Sequence, residues 1–361
     1  MAVVVHLADA WQAIVMHLRL ARTLIVLMTV AGLGTGCVAR AATAPVSGRS
    51  PVRDAIEARI HDSAARDSKL DCVYSANSES VLARFDALVH RQVGCVEVYN
   101  NESQTWAQWE HPWFLNDQPG YAWAQWATKP GAGRELVFDQ SLIPTSLTHS
   151  GWRAECARGA FTQYARGLAR NLVAAGLSHS IIRLAGEMNG TWNIDNVGND
   201  AQQMRDWAAC WRRTVLAMRT VPGATFKIDF SINAAVRPLS LQEFYPGDRT
   251  VDIIGIDAYD QGIGPGENRW QTIEDRPDGI RDVLDFARAH HKPLSIPEWG
   301  LAGADQGDGG GADTAYMRGI ASLVRHADVA YQSYFFSYGY ASQLTHDRRC
   351  LRLYRSLFGG F

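Results

Sequence analysis

Neither sign of charge is in excess in this chain of 361 residues, where 35 basic side chains face 37 acidic ones for a formal net charge of −2. That balance excludes the basic footprint of a dedicated nucleic-acid binder. No low-complexity tract marks a disordered region. Zinc spacings are missing too: no C-x-x-C pair occurs, and none of the eleven histidines falls in an H-E-x-x-H pattern. Asp305, Asp308 and Asp313 do not match a calcium-loop spacing. The first strand-like run ends in Val73-Tyr-Ser-Ala-Asn77 without a glycine cluster, which argues against a dinucleotide-binding open sheet. No cofactor and no metal are therefore expected.

Aromatic residues are plentiful, with twelve each of Trp, Tyr and Phe beside 32 Gly, in a chain that is 47% hydrophobic. Such a composition supports a full-sized core, or a site that stacks flat ligands such as sugar rings. The length allows two domains of about 150 residues, although barrels of roughly 250 residues form one.

The N-terminus reads as an address. Met16-His-Leu-Arg-Leu-Ala-Arg22 is basic, residues 24–33 are apolar, and Ala39-Arg-Ala41 and Ala42-Thr-Ala44 fit an A-x-A cleavage pattern. Residues 1–44 are thus expected to be a signal peptide, or a lipoprotein or membrane-anchor segment, with Cys37 in Gly34-Thr-Gly-Cys37 as the lipid-bearing residue. The apolar run is short for a spanning helix. A secreted or cell-surface protein is the expectation, with any membrane anchoring confined to this segment. Residues 45–69 read as a linker with a helix, and residues 70–361 as the catalytic barrel. Export permits disulfides. Cys156 with Cys210 and Cys72 with Cys95 are candidate pairs, although sequence does not fix connectivity and Cys350 is left over.

Strand-like runs recur at 71–75, 95–99, 135–139, 180–185, 226–231, 251–258, 293–297 and 330–337, with amphipathic stretches between them at 79–91, 155–175, 201–220, 278–290 and 314–326. Several runs are apolar on successive residues, as in parallel strands buried on both faces. Eight strand–helix units make a single (β/α)8 barrel of the α/β class the expected fold. Chemistry in that fold sits at the carboxyl ends of the strands. Strand four exits into Gly186-Glu187-Met-Asn-Gly190-Thr-Trp192 and strand seven into Pro297-Glu298-Trp-Gly300. The two strands face one another across the barrel, so each delivers one glutamate to a common space. Glycosidic cleavage needs such a pair, and a separation of about 5 Å gives retention of configuration.

Arg183-x-x-Gly-Glu187-Met-Asn-Gly-x-Trp192 resembles the acid/base motif of glycoside hydrolase family 26, which includes β-mannanases. Val251-Asp-Ile-Ile-Gly-Ile-Asp257-Ala-Tyr259 resembles its sixth strand, Lys292-Pro-x-x-Ile-Pro-Glu298-Trp-Gly300 its nucleophile strand, and Ser231-Ile-Asn233 the end of its fifth. The resemblance implies a retaining β-glycosidase with Glu187 as acid/base and Glu298 as nucleophile, acting on a polysaccharide or oligosaccharide such as mannan. Two features depart from it. Gly186 stands where the family has His and the wider clan Asn, and the tryptophan often found after strand eight is missing.

Around the two acids, Arg183, Asn189, Trp192, Asn233, Asp257, Tyr259 and Trp299 are the expected substrate-binding residues. Arg183 either orients Glu298 or forms an internal salt bridge, and Asp257 either touches ligand or pairs with Arg183. Tyr259 would bond the nucleophile or the central sugar, and Trp192 and Trp299 would stack on sugars. Tyr99, Asn100 and Asn101 are weaker candidates, Trp123 and Trp126 read as loop residues of an outer subsite, and the glycine-rich stretch 303–311 reads as a lid. Two other readings stay open: a related glycosidase for another β-glucan or a furanose glycan, and a non-catalytic surface glycan-binding protein.

Overall fold

A computed structural model of the chain describes residues 69–100, 102–234, 239–264, 266–303, 309–337 and 343–359. The expected export segment and nearly all of the linker, Asn101 and residues 304–308 lie outside them. Eight strands follow one another: β1 (Leu70–Tyr74), β2 (Cys95–Tyr99), β3 (Glu135–Gln140), β4 (Ile181–Leu184), β5 (Lys227–Asn233), β6 (Ile253–Tyr259), β7 (Leu294–Gly300) and β8 (Val329–Phe335). Each pairs in parallel with the next, and β8 returns to β1, closing the sheet. This is the (β/α)8 barrel expected from the spacing of the runs.

The alternation of side chains across each strand explains what fills the two faces. Val96, Val98, Phe138, Ile182 and Phe230 point outward and join the apolar faces of the helices in one large core. The inward set begins at the floor with a separate apolar group, Cys72, Cys95, Val137, Ile181, Ile253 and Tyr331. Further towards the strand ends, the inward residues become polar: Glu97, Asp139, Arg183, Asp229, Asp257 and Ser333, all buried. The barrel is thus apolar at its base and ionisable towards the strand ends.

The helix Ala201–Arg219 opens at Asp200, whose side chain accepts from Gln203 N at 2.8 Å. Its buried stripe contains Met204, Trp207, Trp211, Val215 and Met218, the spacing read from sequence. Trp211 Nε1 donates to the carbonyl of Leu184 at 3.2 Å and so ties this helix to the end of β4. Asp313 caps Thr314–His326 by accepting from Ala315 N and Tyr316 N. Two expectations are corrected. The stretch 155–175 is not one helix but two, Trp152–Ala157 and Thr162–Ala174, because the chain turns at Gly159 with a φ of 96°. Trp123 and Trp126 are not loop residues: both lie on the helix Trp123–Thr128, with Trp123 fully buried and Trp126 half-buried beneath Arg134.

Both candidate disulfides form. Cys72 and Cys95 are register partners on β1 and β2, and Cys156–Cys210 joins the helices Trp152–Ala157 and Ala201–Arg219. Cys350 is buried and unpaired with another cysteine. Among the described residues, no helix is long and apolar enough to cross a membrane. The Cys156–Cys210 bridge closes a separation of 54 residues. Replacing both cysteines by serine should lower the unfolding free energy by about 2–4 kcal/mol, chiefly by freeing the unfolded chain. Denaturant titration would check this, and an unchanged midpoint would show that the bridge adds nothing.

Candidate active site

Arg183 is the centre around which the inward residues assemble. It lies on β4 with only 1% of its surface exposed. Its Nε donates to Ser231 Oγ at 2.9 Å, and its terminal nitrogens donate to Glu298 Oε1 and Asp257 Oδ2. Glu97 Oε1 and the Tyr99 hydroxyl oxygen stand 3.4 Å from Nη1, and Asp139 Oδ2 stands 3.7 Å from it. Arg183 therefore contacts Glu298 and forms an internal ion-pair network. Asp257 is its direct partner.

Glu187 follows β4 on a turn in which Ala185 and Glu187 have φ of 53° and 55°. Left-handed conformations at non-glycine residues cost energy and persist only where neighbours hold them. Here Ala185 N donates to Gln140 O at 2.7 Å, Glu187 N to Ser231 O at 3.0 Å, and Gly190 N to Glu187 O at 2.8 Å. The carboxylate itself accepts from Trp192 Nε1 at 2.8 Å and from Asn233 Nδ2 at 2.5 Å. Asn189 fixes Asn233 in turn, through two 2.9 Å bonds with its backbone N and O. A Cβ on Gly190 would lie 2.5 Å from the Trp192 ring, so this glycine lets the indole fold back onto Glu187. Trp192 is thus a hydrogen-bond partner of Glu187.

Glu298 enters the cleft through an irregularity in β7. Ser295 pairs with Gly255 on β6, but Trp299 pairs with Ala258, four residues on against three. Against β8, Ile296 pairs with Gln332 and Trp299 with Tyr334, three residues against two. One extra residue is therefore accommodated between Ile296 and Trp299, which reverses the alternation. Glu298 turns inward, 9% exposed, and accepts from the Tyr259 hydroxyl at 2.7 Å. Trp299 turns outward. It does not reach the cleft as expected: it is fully buried against Tyr334, Tyr354 and Phe358, with Nε1 bonded to Gln332.

One oxygen each from Glu187, Asp257 and Glu298 lies within 4.8 Å of the others. Three converging carboxylates resemble a cation site, but Arg183 already supplies positive charge to Asp257 and Glu298. A facing pair of glutamates at about this separation suits displacement at an anomeric carbon.

Residues 154–281 match the family model described as Glycosyl hydrolase family 26. Over that segment the chain is similar to family 26. The class of reaction that accompanies it is hydrolysis of O-glycosyl bonds. No curated protein matches the chain. Among solved structures, a family 26 β-mannanase from Bacteroides ovatus is similar with a TM-score of 0.55 and 14% identity, over 81% of this chain and 90% of that one. The catalytic domain of a family 26 endo-β-1,4-mannanase from Bacillus sp. JAMB-750 has a TM-score of 0.55 and 17% identity, over 81% and 86%. A Bacillus subtilis mannanase has a TM-score of 0.52 and 11% identity, over 79% and 84%. At these identities the likeness is one of fold.

Both departures from the family pattern have a physical setting here. A Cβ on Gly186 would fall well inside contact distance of Asp139 Oδ2 and 2.6 Å from Arg183 Nε, so the space of a side chain at 186 is already filled. At the end of β8 stands Phe335, packed with Tyr74 at 4.5 Å and Tyr259 at 5.9 Å between ring centres. Tyr99 completes this aromatic wall, 4.6 Å from Tyr74. Glu97, Asp139, Tyr74 and Phe335 were not singled out from sequence. The available signal was polar or aromatic residues at alternate strand positions, which the reading by motif passes over. Asn100 is buried and donates to Gln140 at 2.8 Å, a structural position. Of the expected lid, Gly310 and Gly311 are pinned by backbone bonds to Asp260 and Ala302.

Burial raises the carboxyl pKa values of this barrel. Glu97 is pushed up to about 8 by desolvation against the pull of Arg183, and Asp139 to about 7 for the same reason. Desolvation, then repulsion from Glu298, lifts Glu187 to about 7. Asp257 and Asp229 are raised by burial as well, and Asp260 reaches about 8. Each group is raised above its unfolded value, so the folded protein holds more protons than the unfolded chain between about pH 4 and these values. Their stability contribution is fully present below the unfolded pKa and is lost as pH rises through 6 to 8. The thermal unfolding midpoint should therefore be higher at pH 5 than at pH 8. A midpoint that rises over this interval would show that these acids are ionised in the folded state.

Proposed function

We propose that the protein is an exported retaining glycoside hydrolase that cleaves β-linked mannan, with Glu187 as acid/base and Glu298 as nucleophile. The observation that carries this reading is the approach of Glu187 and Glu298 across the barrel, their nearest oxygens within 4.8 Å. The family match to residues 154–281 and the mannanase neighbours direct it towards β-mannan. The basic, apolar and small-residue succession at the N-terminus supports export, and so do two disulfides.

In the first step Glu187 gives its proton to the glycosidic oxygen while Glu298 attacks the anomeric carbon. The bond to the leaving sugar breaks and an ester to Glu298 forms. Arg183 and Tyr259 hold the two oxygens of Glu298 in place for that attack. Forming the ester removes the negative charge of Glu298, which is the second-largest cause of the raised Glu187 pKa. Glu187 then becomes more acidic and suits its second role, taking a proton from the water that releases the sugar.

Folded Glu298→Ala should have no measurable turnover on mannan. Glu187→Ala should lose about 10²–10⁴-fold, and much less on an aryl glycoside whose leaving group needs no proton. For the intact enzyme, kcat/KM should fall above about pH 7 as Glu187 loses its proton. Reducing-end release from a panel of β-mannan, β-glucan and furanose polymers would test the substrate, and proton NMR of the first product its configuration. Full hydrolysis by both variants would remove these residues from the mechanism.

A further inference from the structure

We propose that Asp139 is a specificity-determining residue, whose carboxylate, set in the space left by Gly186, accepts hydrogen bonds from ring hydroxyls of the sugar held between Glu187 and Glu298. The inference rests on the reading of the site as a glycosidase and deepens it.

Three observations carry it. Asp139 lies on β3 with Tyr99 and Arg183 as its register partners, so it shares their inward face near the strand ends. Gly186 is the residue beside it: any side chain there would collide with Asp139 Oδ2, and its absence gives the carboxylate its place next to Glu187. The carboxylate is also under-used. Its one ion pair, to Arg183 Nη1, spans 3.7 Å, too long for a hydrogen bond. The donors of Arg183 are directed instead at Ser231, Glu298, Asp257, Glu97 and Tyr99.

A buried carboxylate without a hydrogen-bond donor is costly, and groups left in that condition are candidates for ligand contact. Its side chain keeps 6% exposure, so it reaches the cleft surface rather than closing into the core. Burial holds its pKa at about 7, which hydroxyl donors from a sugar would relieve. Glu97, by contrast, is fully buried deeper in the barrel and beyond the reach of a ligand. The chemistry that fits Asp139 is a neutral sugar with adjacent free hydroxyls. An acidic sugar would meet repulsion from Asp139, Asp257 and Glu298 together.

The test compares wild type, Asp139→Ala and the isosteric Asp139→Asn on β-1,4-manno-oligosaccharides and on analogues that each lack one ring hydroxyl. Circular dichroism would establish that the variants fold. Loss of hydrogen bonds to a charged acceptor should lower kcat/KM of Asp139→Ala by about 10- to 100-fold. At least one deoxy analogue should be penalised in wild type and not in Asp139→Ala, the signature of a direct pairing in a double-mutant cycle. Identical deoxy penalties in wild type and Asp139→Ala would overturn the proposal and leave Asp139 as a partner of Arg183 alone. If the oligosaccharides bind without turnover, calorimetry with the same analogues reads the same pairing. If wild type neither binds nor cleaves any glycan of the panel, the glycosidase reading itself falls, and this proposal with it.

Discussion

One buried guanidinium organises the interior of this barrel. Arg183 has four carboxylates within ion-pair distance, those of Glu97, Asp139, Asp257 and Glu298. Removing a cation from water is expensive unless anions and hydrogen bonds surround it. Here the surroundings over-supply negative charge, and Glu187 adds more. Burial first, and repulsion among these carboxylates second, make Glu97, Asp139 and Glu187 all bind protons more tightly than free carboxyls. The same burial that makes the cluster costly thus sets the proton affinities of its carboxyls.

Two glycines make this arrangement sterically possible. Gly186 leaves room for Asp139 and the Arg183 guanidinium, and Gly190 leaves room for the Trp192 indole. They bracket Glu187, whose left-handed backbone is held by Ser231 and Gly190. A missing side chain at 186 therefore does not leave a hole in the site. The carboxylate of Asp139, on β3, occupies that space. Under the proposal made for Asp139, substrate preference depends on a residue remote in sequence from the Glu187 segment, where comparison of motifs alone does not look.

The eight runs of the barrel were legible because parallel strands bury both faces, and the helices because their buried stripes repeat at three or four residues. Glu187 and Glu298 were legible because each closes a strand of known order, Arg183 because it shares β4 with the approach to Glu187, and Asp257 and Tyr259 because they alternate onto one face of β6. Other parts depended on geometry that spacing does not carry. The break at Gly159 needed a positive φ within an otherwise amphipathic stretch. Trp123 looked like a loop residue beside Pro119-Gly120, yet its indole is buried and donates to Asn77 O at 3.0 Å. Asp139 belongs to no motif, and only the closure of β3 against β4 brings it to the glutamates.

Trp299 shows most clearly where spacing fails. Strict alternation from the inward Ser295 sends Pro297 and Trp299 into the barrel and Glu298 out among the helices. Trp299 would then face the cleft, but Glu298 would be lost from it. The extra residue in β7 reverses both outcomes. Pro297 lies within the irregular stretch, and proline is tolerated there because it has no N–H to give to a regular ladder. The same inserted step that delivers Glu298 to Tyr259 and Arg183 drives Trp299 into Tyr334, Tyr354 and Phe358. The indole contributes to the site from behind, by packing the outer face of the strand that carries Glu298.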